Sequence, residues 1–381
     1  MIKTQGKLDA LLVVVVVVLV VFGVIMVFSA SFYSTMGGAE GPYQYLKYSV
    51  QWALIGFAVM AGASFVPYRA YYALAPGFVV ASIVFLVMLY TPLGEEVNGA
   101  TRWIRIGELT FMPGEFAKLA VIFGCAWYYT KYADKAKTFV RGFCAMLPGI
   151  LVYFYLIYKQ PNLSTAIIVV FTILVMMYFS GVRVWYLIGF IVVAAIGLRY
   201  MILAAEGEHL NRITGFLDPF SDAQGEFFQT VQGLIALGSG GLTGVGLGNS
   251  VQKAFWLPFA QNDFIFAIIG EEMGFLGCIL VLIAFVVLIW RCLLIAMRNP
   301  DRFAMLTGSG VALLFAVQVI MNIGVVTSVL PPTGVTLPFI SYGGNAIILF
   351  MFLIGVMLNI SRKEGPKAPR FRKKQQEEEA A

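Results

Sequence analysis

The most informative segment of the chain reads Trp256-Leu-Pro-Phe-Ala-Gln-Asn-Asp263-Phe-Ile-Phe-Ala-Ile-Ile-Gly-Glu271-Glu272. It enters an apolar run over residues 262–290, which is long enough to cross a bilayer as a helix. Asp263 therefore lies at the mouth of a membrane helix, after the longest loop of the chain. Carboxylates are costly at such positions and are functional candidates. This placement predicts that Asp263 is the catalytic residue of a membrane enzyme.

The composition supports a membrane location for the whole chain. Hydrophobic residues make up 60% and charged residues 12% of the sequence, and the mean hydropathy is +0.85. A soluble domain carries about twice that share of charge. The net charge of +6 does not indicate nucleic-acid binding, because the basic residues cluster at the ends of apolar segments and in the tail.

The apolar pattern predicts an all-α polytopic membrane protein with about ten transmembrane helices. An even number of spans puts both termini on one side, and most of the 26 Lys and Arg residues then share that side. The positive-inside rule makes it the cytoplasm. The first span is interpreted as a retained signal anchor. The predicted spans are residues 8–30, 46–65, 70–90, 112–131, 139–158, 161–180, 183–204, 262–290, 303–329 and 338–360.

These spans define a transmembrane domain over residues 1–361 and a charged tail over 362–381, predicted to be disordered and cytoplasmic. Two extracytoplasmic loops remain, at residues 91–111 and, between helices 7 and 8, at residues 205–262. The second loop is rich in Gly, Pro and aromatic residues, and residues 227–237 fit an amphipathic or re-entrant helix. Irregular backbone at membrane depth needs protein or a water-filled cavity around it, so we expect this loop to line a cavity open to the outer leaflet.

Two further carboxylate motifs lie inside predicted spans. Glu115 and Lys118 are three residues apart and should share a helix face. They form either a self-neutralising pair or a cavity wall where Lys118 meets an anionic headgroup, and both can hold. Helical spacing also aligns Asp263 with Glu271, as a cavity lining or proton path. The alternatives are that Asp263 caps its helix and that Glu271 and Glu272 pair with inner basic residues.

Basic residues of the outer loops are candidate phosphate ligands. Arg102, Arg212 and Lys253 lie in these loops, with Arg105 nearby, although the positive-inside rule disfavours basic residues there. Arg suits bidentate phosphate contact. Ordinary interfacial anchoring is the alternative for each. The run Gly238–Asn249 matches no nucleotide-binding pattern and is interpreted as tight turns with close backbone approach. The single His209 and four scattered cysteines predict no metal site.

Together these motifs resemble the SEDS family (shape, elongation, division and sporulation) over nearly the whole chain, more in the manner of FtsW and SpoVE than of RodA. Departures from the family pattern occur at Phe259, Gln261-Asn262, Asn162 with Ser164, and Asn345. The matching segments are Asn98-Gly-Ala-Thr-Arg-Trp-Ile, Pro113-Gly-Glu-Phe-Ala-Lys118-Leu, Gln160-Pro-Asn-Leu, Arg212 with Phe216-Leu-Asp-Pro219, the glycine-rich run, Leu257-Pro to Asp263-Phe-Ile-Phe, Glu271-Glu-Met-Gly-Phe, and Asn322-Ile-Gly-Val-Val-Thr through Ser341-Tyr-Gly-Gly344.

The resemblance implies a peptidoglycan glycosyltransferase of the bacterial cell membrane that polymerises lipid II for division, elongation or sporulation. It implies a class B penicillin-binding protein and other divisome or elongasome membrane proteins as partners. It places the family's essential aspartate at Asp263 and its Glu/Lys pair at Glu115 and Lys118. A lipid II flippase and a non-catalytic scaffold for the transpeptidase are the competing hypotheses.

Chemistry assigns provisional roles to these residues. Asp263 is the candidate general base for the acceptor hydroxyl. Cations should stabilise the leaving pyrophosphate, and the candidates are Lys118, Arg102, Arg212 and Lys253. No cofactor is required by the sequence, although a divalent cation could share the task of the cations.

Overall fold

The computed structural model describes residues 8–36, 41–97, 100–107, 109–204, 218–225 and 227–362. Within these ranges the chain is mostly helical. The helices are α1 (Ala10–Thr35), α2 (Gln44–Phe65), α3 (Tyr68–Met88), α4 (Pro113–Lys131), α5 (Leu147–Tyr158), α6 (Leu163–Phe179), α7 (Val184–Ala204), α8 (Phe228–Ser239), α9 (Ile265–Arg298), α10 (Arg302–Val326) and α11 (Gly344–Ser361).

Every predicted span overlaps one of these helices, which confirms the prediction of an all-α polytopic membrane protein. Within the described ranges, seven helical segments are long and apolar enough to cross a membrane: α1, α2, α3, α9, α10, α11 and Phe139–Tyr158, which includes α5. Shorter apolar helices cover Leu163–Phe179 and Val184–Gly197. The remaining helix at a predicted span is α4, whose apolar run is interrupted by Glu115 and Lys118.

The loop over residues 91–111 holds regular structure that the sequence analysis did not predict. Three short strands, β1 (Gly94–Val97), β2 (Ala100–Ile106) and β3 (Leu109–Phe111), form an antiparallel sheet in the order β1-β2-β3. In the register, Glu95 lies opposite Trp103, and Ile104 opposite Phe111. The β-branched and aromatic residues of β2 favour such a ladder. The fold is therefore a helical bundle with a small sheet at one end.

Polar contacts identify the two ends of the bundle. At one end, Arg291 of α9 forms an ion pair with Asp9, which caps α1. Arg302, four residues beyond the end of α9, donates to the carbonyls of Tyr129 and Ser180 at the ends of α4 and α6. We call this end the Asp9 side and the opposite end, which carries the sheet, the Asp263 side. The described chain starts and finishes on the Asp9 side.

The long loop returns to the bundle as α8, which confirms the predicted helix over residues 227–237. The helix packs against the start of α9, where a Cβ at Gly233 would lie 2.9 Å from the ring of Phe264. Past α8, a Cβ at Gly240 would lie only 1.9 Å from the Gly270 carbonyl oxygen. The predicted use of glycine for close backbone approach in the run Gly238–Asn249 is confirmed at Gly240.

Helix α9 is broken at Gly274, whose φ of 66° and ψ of −166° lie outside the helical region. A break in a helix frees backbone N–H and C=O groups that need new partners when no water is present. The glycine-rich run supplies these partners on both sides of the break. The hydrogen bonds run from Val245 N to Glu271 O (3.0 Å), Gly246 N to Glu272 O (3.0 Å), Phe275 N to Gly241 O (2.9 Å) and Leu276 N to Leu242 O (3.1 Å).

Replacing Gly274 by alanine should destabilise the protein. The positive φ favours glycine, and the new Cβ would lie 2.4 Å from Gly244 N and 2.6 Å from Leu242 O. Backbone strain of this kind costs about 1–3 kcal/mol before the clash is counted. The midpoint of thermal unfolding in detergent should fall clearly for Gly274→Ala.

The matched control is Gly62→Ala in α2, because a Cβ there has no neighbour within 4 Å. This control should unfold at or slightly above the temperature of the parent protein, since alanine favours helix. Equal midpoints for the two variants would contradict the proposed packing at the break.

Candidate active site

Asp263 lies two residues before α9, on the side of the bundle named after it. The side-chain amide of Asn322 in α10 holds its backbone, donating to the Asp263 carbonyl at 2.7 Å and to the Val335 carbonyl at 2.7 Å. One buried side chain therefore joins α10, the entry to α9 and the segment that leads to α11. Asn322 fixes the position from which the Asp263 side chain projects.

The Asp263 carboxylate is partly buried and, among the residues that the structure describes, has no cation within salt-bridge distance. A Cβ at Gly334 would lie 3.6 Å from its Oδ2 atom, so Gly334 is a close neighbour of the carboxylate. Burial raises the pKa of this carboxyl above its usual value. The capping alternative is wrong, because Phe264 is the N-cap and no side chain caps α9.

Glu115 and Lys118 form the predicted pair on one face of α4, with Lys118 Nζ 2.6 Å from Glu115 Oε1. Both residues are buried. The Lys118 ammonium also lies 3.5 Å from Gln318 Oε1 of α10. Gln318 is four residues from Asn322, so these two side chains follow the same face of α10. Helix α10 thereby connects the ion pair to the backbone of Asp263.

Sequence reasoning missed Gln318. The signal that could have found it is the pair Gln318 and Asn322, two amides one turn apart in an otherwise apolar helix. Three buried atoms along this row have no hydrogen-bond partner among the described residues: Glu115 Oε2, Gln318 Nε2 and Asn322 Oδ1. Buried polar atoms are normally paired, so this row has unused capacity to bind a polar ligand.

Arg102 reaches the same side of the bundle from strand β2. Its guanidinium donates to the Pro161 carbonyl between α5 and α6, while its Nε atom is buried without a partner among the described residues. Close by in sequence, Ser164 donates at 2.6 Å to the carbonyl of Thr333, the neighbour of Gly334. The sheet, the start of α6 and the segment above Asp263 therefore meet. The predicted phosphate ligand Arg212 lies outside the described residues.

Lys253 lies away from this cluster, in a buried ion pair with Glu272 of α9. Ser29 of α1 completes the contact, 2.8 Å from Lys253 Nζ and 2.8 Å from Glu272 Oε2. Glu271 accepts hydrogen bonds from Ser250 Oγ and from Val251 N. The alternative that these glutamates pair with inner basic residues is wrong, because they bind the long loop and α1. Glu271 is engaged there, and Asp263 precedes α9, so the predicted stripe is not formed.

No group of three or more His, Cys, Asp or Glu residues within the described ranges could hold a metal ion. The divalent cation considered from the sequence stays an untested prediction. The role of Lys253 as a pyrophosphate ligand also stays a prediction, although its ammonium is fully engaged by Glu272 and Ser29.

Known proteins of one family are similar in sequence to this chain. A family model described as "Cell cycle protein", covering FtsW, RodA and SpoVE, matches residues 9–365. Stage V sporulation protein E of Bacillus subtilis (strain 168) is 38% identical over 93% of this chain and 97% of that protein. A probable peptidoglycan glycosyltransferase FtsW of Geobacter sp. (strain M18) is 35% identical over 93% and 97%.

Solved structures share the fold. A chain from a peptidoglycan synthase complex that coordinates polymerization and crosslinking superposes with a TM-score of 0.79 at 25% identity, covering 94% of this chain and 98% of that chain. The rod shape determining protein RodA of Thermus thermophilus gives 0.69 at 25% identity, covering 95% and 99%. The chain belongs to the FtsW/RodA/SpoVE family, as the motifs of the sequence predict.

Breaking the buried ion pair on one side should be strongly destabilising. Lys253→Met leaves Glu272 charged and buried, which costs about 3–5 kcal/mol in comparable pairs. The double variant Lys253→Met with Glu272→Met removes both charges and should recover most of the lost stability. Thermal unfolding in detergent measures both effects.

The control is Arg105→Ala, which breaks the exposed pair with Glu95 in the sheet. That change should hardly move the unfolding midpoint, because exposed pairs contribute little. If Lys253→Met unfolds like the parent protein, the pair does not hold the loop to α9.

Proposed function

We propose that this membrane-embedded peptidoglycan glycosyltransferase polymerises lipid II into glycan strands, with Asp263 as the general base. The observation that carries the proposal is the state of the Asp263 carboxylate. Every other carboxylate in or next to a membrane helix discussed above has a cation or several hydrogen-bond donors, whereas Asp263 has no cationic partner among the described residues and faces Gly334, which has no side chain. A carboxylate in that state is available to accept a proton.

The base has a defined task in the reaction. The sugar 4-hydroxyl of the acceptor attacks the anomeric carbon of the donor, and its proton passes to the Asp263 carboxylate. The bond from the anomeric carbon to the lipid pyrophosphate breaks, and the pyrophosphate leaves with the electron pair. An α-linked donor and a β-linked product require inversion by a single displacement, so no covalent enzyme intermediate is needed. A positioned base contributes about 10²–10⁴-fold to such a step.

The leaving pyrophosphate needs positive charge as it departs. Lys118 and Arg102 are the proposed contacts, since both lie on the Asp263 side and neighbour unpaired polar atoms. Arg212 is retained as a proposed cation from the sequence, and Lys253 would have to release Glu272 and Ser29 to act as one. Glu115 holds Lys118 in place at 2.6 Å while its second oxygen keeps hydrogen-bonding capacity. A divalent cation could also stabilise the leaving pyrophosphate.

The cellular setting follows from the relatives. The names of two relatives point to sporulation and to peptidoglycan synthesis, and a structural relative belongs to a complex that couples polymerization with crosslinking. We therefore propose a class B penicillin-binding protein as partner, alongside other divisome or elongasome membrane proteins. The charge bias of the loops supports cytoplasmic termini, so the Asp263 side faces the cell exterior.

Asp263→Asn should strongly reduce glycan synthesis while preserving the fold. The amide keeps the shape of the side chain but cannot accept the hydroxyl proton, so the rate should fall by about 10²–10⁴-fold. The assay is polymerisation of purified lipid II by the solubilised protein, alone and with its class B partner, with transpeptidase activity inhibited. Glu95→Gln is the carboxylate control, because Glu95 lies in the sheet and pairs with Arg105.

Normal glycan ladders from Asp263→Asn would show that another residue or the partner supplies the base. If the parent protein forms no ladders under any condition but translocates lipid II in liposomes, the flippase hypothesis is favoured. If the parent protein forms no ladders and Asp263→Asn still recruits an active transpeptidase, the scaffold hypothesis is favoured.

The rate should depend on pH through Asp263. The base works only when ionised, so activity is present above the pKa of the carboxyl in the folded protein and is lost as pH falls through it. Because burial raises this pKa, the acid limb of kcat/KM should lie above the ordinary value of 3.8. The residual activity of Asp263→Asn should lack that limb, and an unchanged limb in this variant would assign it to another group.

A further inference from the structure

The long loop has an unusual surface between Phe227 and Asn262. Only one charged residue, Lys253, occurs in this stretch, and it is buried against Glu272. The stretch instead exposes six large apolar side chains, each 53% to 77% exposed, beside the neutral polar residues Ser239, Thr243 and Asn249. We call this set the apolar lip, and its members are Leu242, Leu247, Val251, Phe255, Trp256 and Phe259.

The depth of the lip can be read from α1 and α9. Asp9 and Arg291 tie the two helices together at one end, and Ser29 with Glu272 at the other. Asp9 and Ser29 are 20 residues apart along α1, and Glu272 and Arg291 are 19 apart along α9. At 1.5 Å per residue each separation is about 30 Å, the thickness of the hydrocarbon core of a bilayer. The two polar contacts are therefore spaced as the two boundaries of that core are.

The lip lies next to the second contact. Lys253 itself takes part in the contact with Ser29 and Glu272, and it is flanked in sequence by Val251 and Phe255. Leu242 is hydrogen-bonded to Leu276 of α9, two residues past the break. Phe275 and Leu276 are themselves exposed, so exposed apolar side chains continue from α9 to Leu242 of the lip.

We propose that the apolar lip is immersed in the acyl chains of the leaflet on the Asp263 side. Large exposed apolar patches mark interaction surfaces, and aromatic residues such as Trp256 are enriched at membrane boundaries. Continuity with α9 and the absence of exposed charge from the lip identify lipid hydrocarbon as the occupant. The competing occupant, a membrane helix of a partner protein, is an outcome of the test below.

Immersion of the lip places a hydrocarbon surface on the membrane side of the reacting carboxylate, since Asp263 precedes Glu272 by nine residues. Phe259 of the lip and Asp263 are four residues apart in one segment. A lipid-linked sugar could then keep its chain in the leaflet on the lip while its headgroup reaches Asp263. This consequence rests on the proposed function, whereas the immersion itself does not.

The test uses nitroxide labels at Leu247→Cys, Phe255→Cys and Phe259→Cys, one at a time, in the full chain reconstituted in phospholipid nanodiscs. Cys144→Ser removes the one native cysteine that is not buried. Spin relaxation by oxygen, which concentrates in lipid, is compared with relaxation by an aqueous nickel chelate. Leu280→Cys on the exposed apolar face of α9 is the lipid control, and Glu96→Cys in the exposed sheet is the water control.

The three lip positions should match Leu280, with strong oxygen and weak chelate contact. Chelate contact equal to that at Glu96 would overturn the proposal. Loss of contact with oxygen when the class B partner is included in the same nanodisc would also overturn it, in favour of a protein interface. The measurement requires no turnover, so its failure is distinct from failure of the polymerisation assay.

Discussion

The structure depends on one constraint, which is that a helix broken at membrane depth must find partners for its backbone groups without water. Helix α9 is broken at Gly274, and the glycine-rich run fills the gap with four main-chain hydrogen bonds. This contact brings the long loop down onto the bundle and puts Lys253 beside Glu272. From Lys253 the loop runs to the start of α9, where Asp263 lies. The hydrogen bonds between the glycine-rich run and α9 therefore help to position the candidate base.

Two buried lysine–glutamate pairs differ in what they leave available. The pair of Lys253 with Glu272 is closed by Ser29, so it has a complete set of contacts and acts as a structural tie. The pair of Lys118 with Glu115 keeps an unpaired carboxylate oxygen and neighbours Gln318, whose amide nitrogen is also unpaired among the described residues. Asp263 has no cationic partner among the residues that the structure describes. These differences separate structural charge from charge that can serve the peptidoglycan glycosyltransferase reaction.

Local patterns in the sequence predicted much of this arrangement. Apolar runs located the membrane helices, and helical spacing placed Glu115 with Lys118 on one face. The partners of Lys253 were not predictable, because Ser29 is 224 residues away in sequence and no local pattern encodes that contact. The role of Asn322 was missed for the same reason, since it reaches the backbone of two other segments. The small sheet was missed because its strands are short and lie in a loop between strong apolar signals.

The central claim is that the Asp263 carboxylate meets the acceptor hydroxyl. Its most direct test is a high-resolution structure in nanodiscs with an acceptor glycan and an unreactive lipid II analogue as donor. The account predicts a carboxylate oxygen of Asp263 within about 2.6–3.2 Å of the acceptor 4-hydroxyl, with the pyrophosphate on the side of Lys118 and Arg102. A different carboxylate on that hydroxyl, or Asp263 facing only lipid or protein, would contradict it.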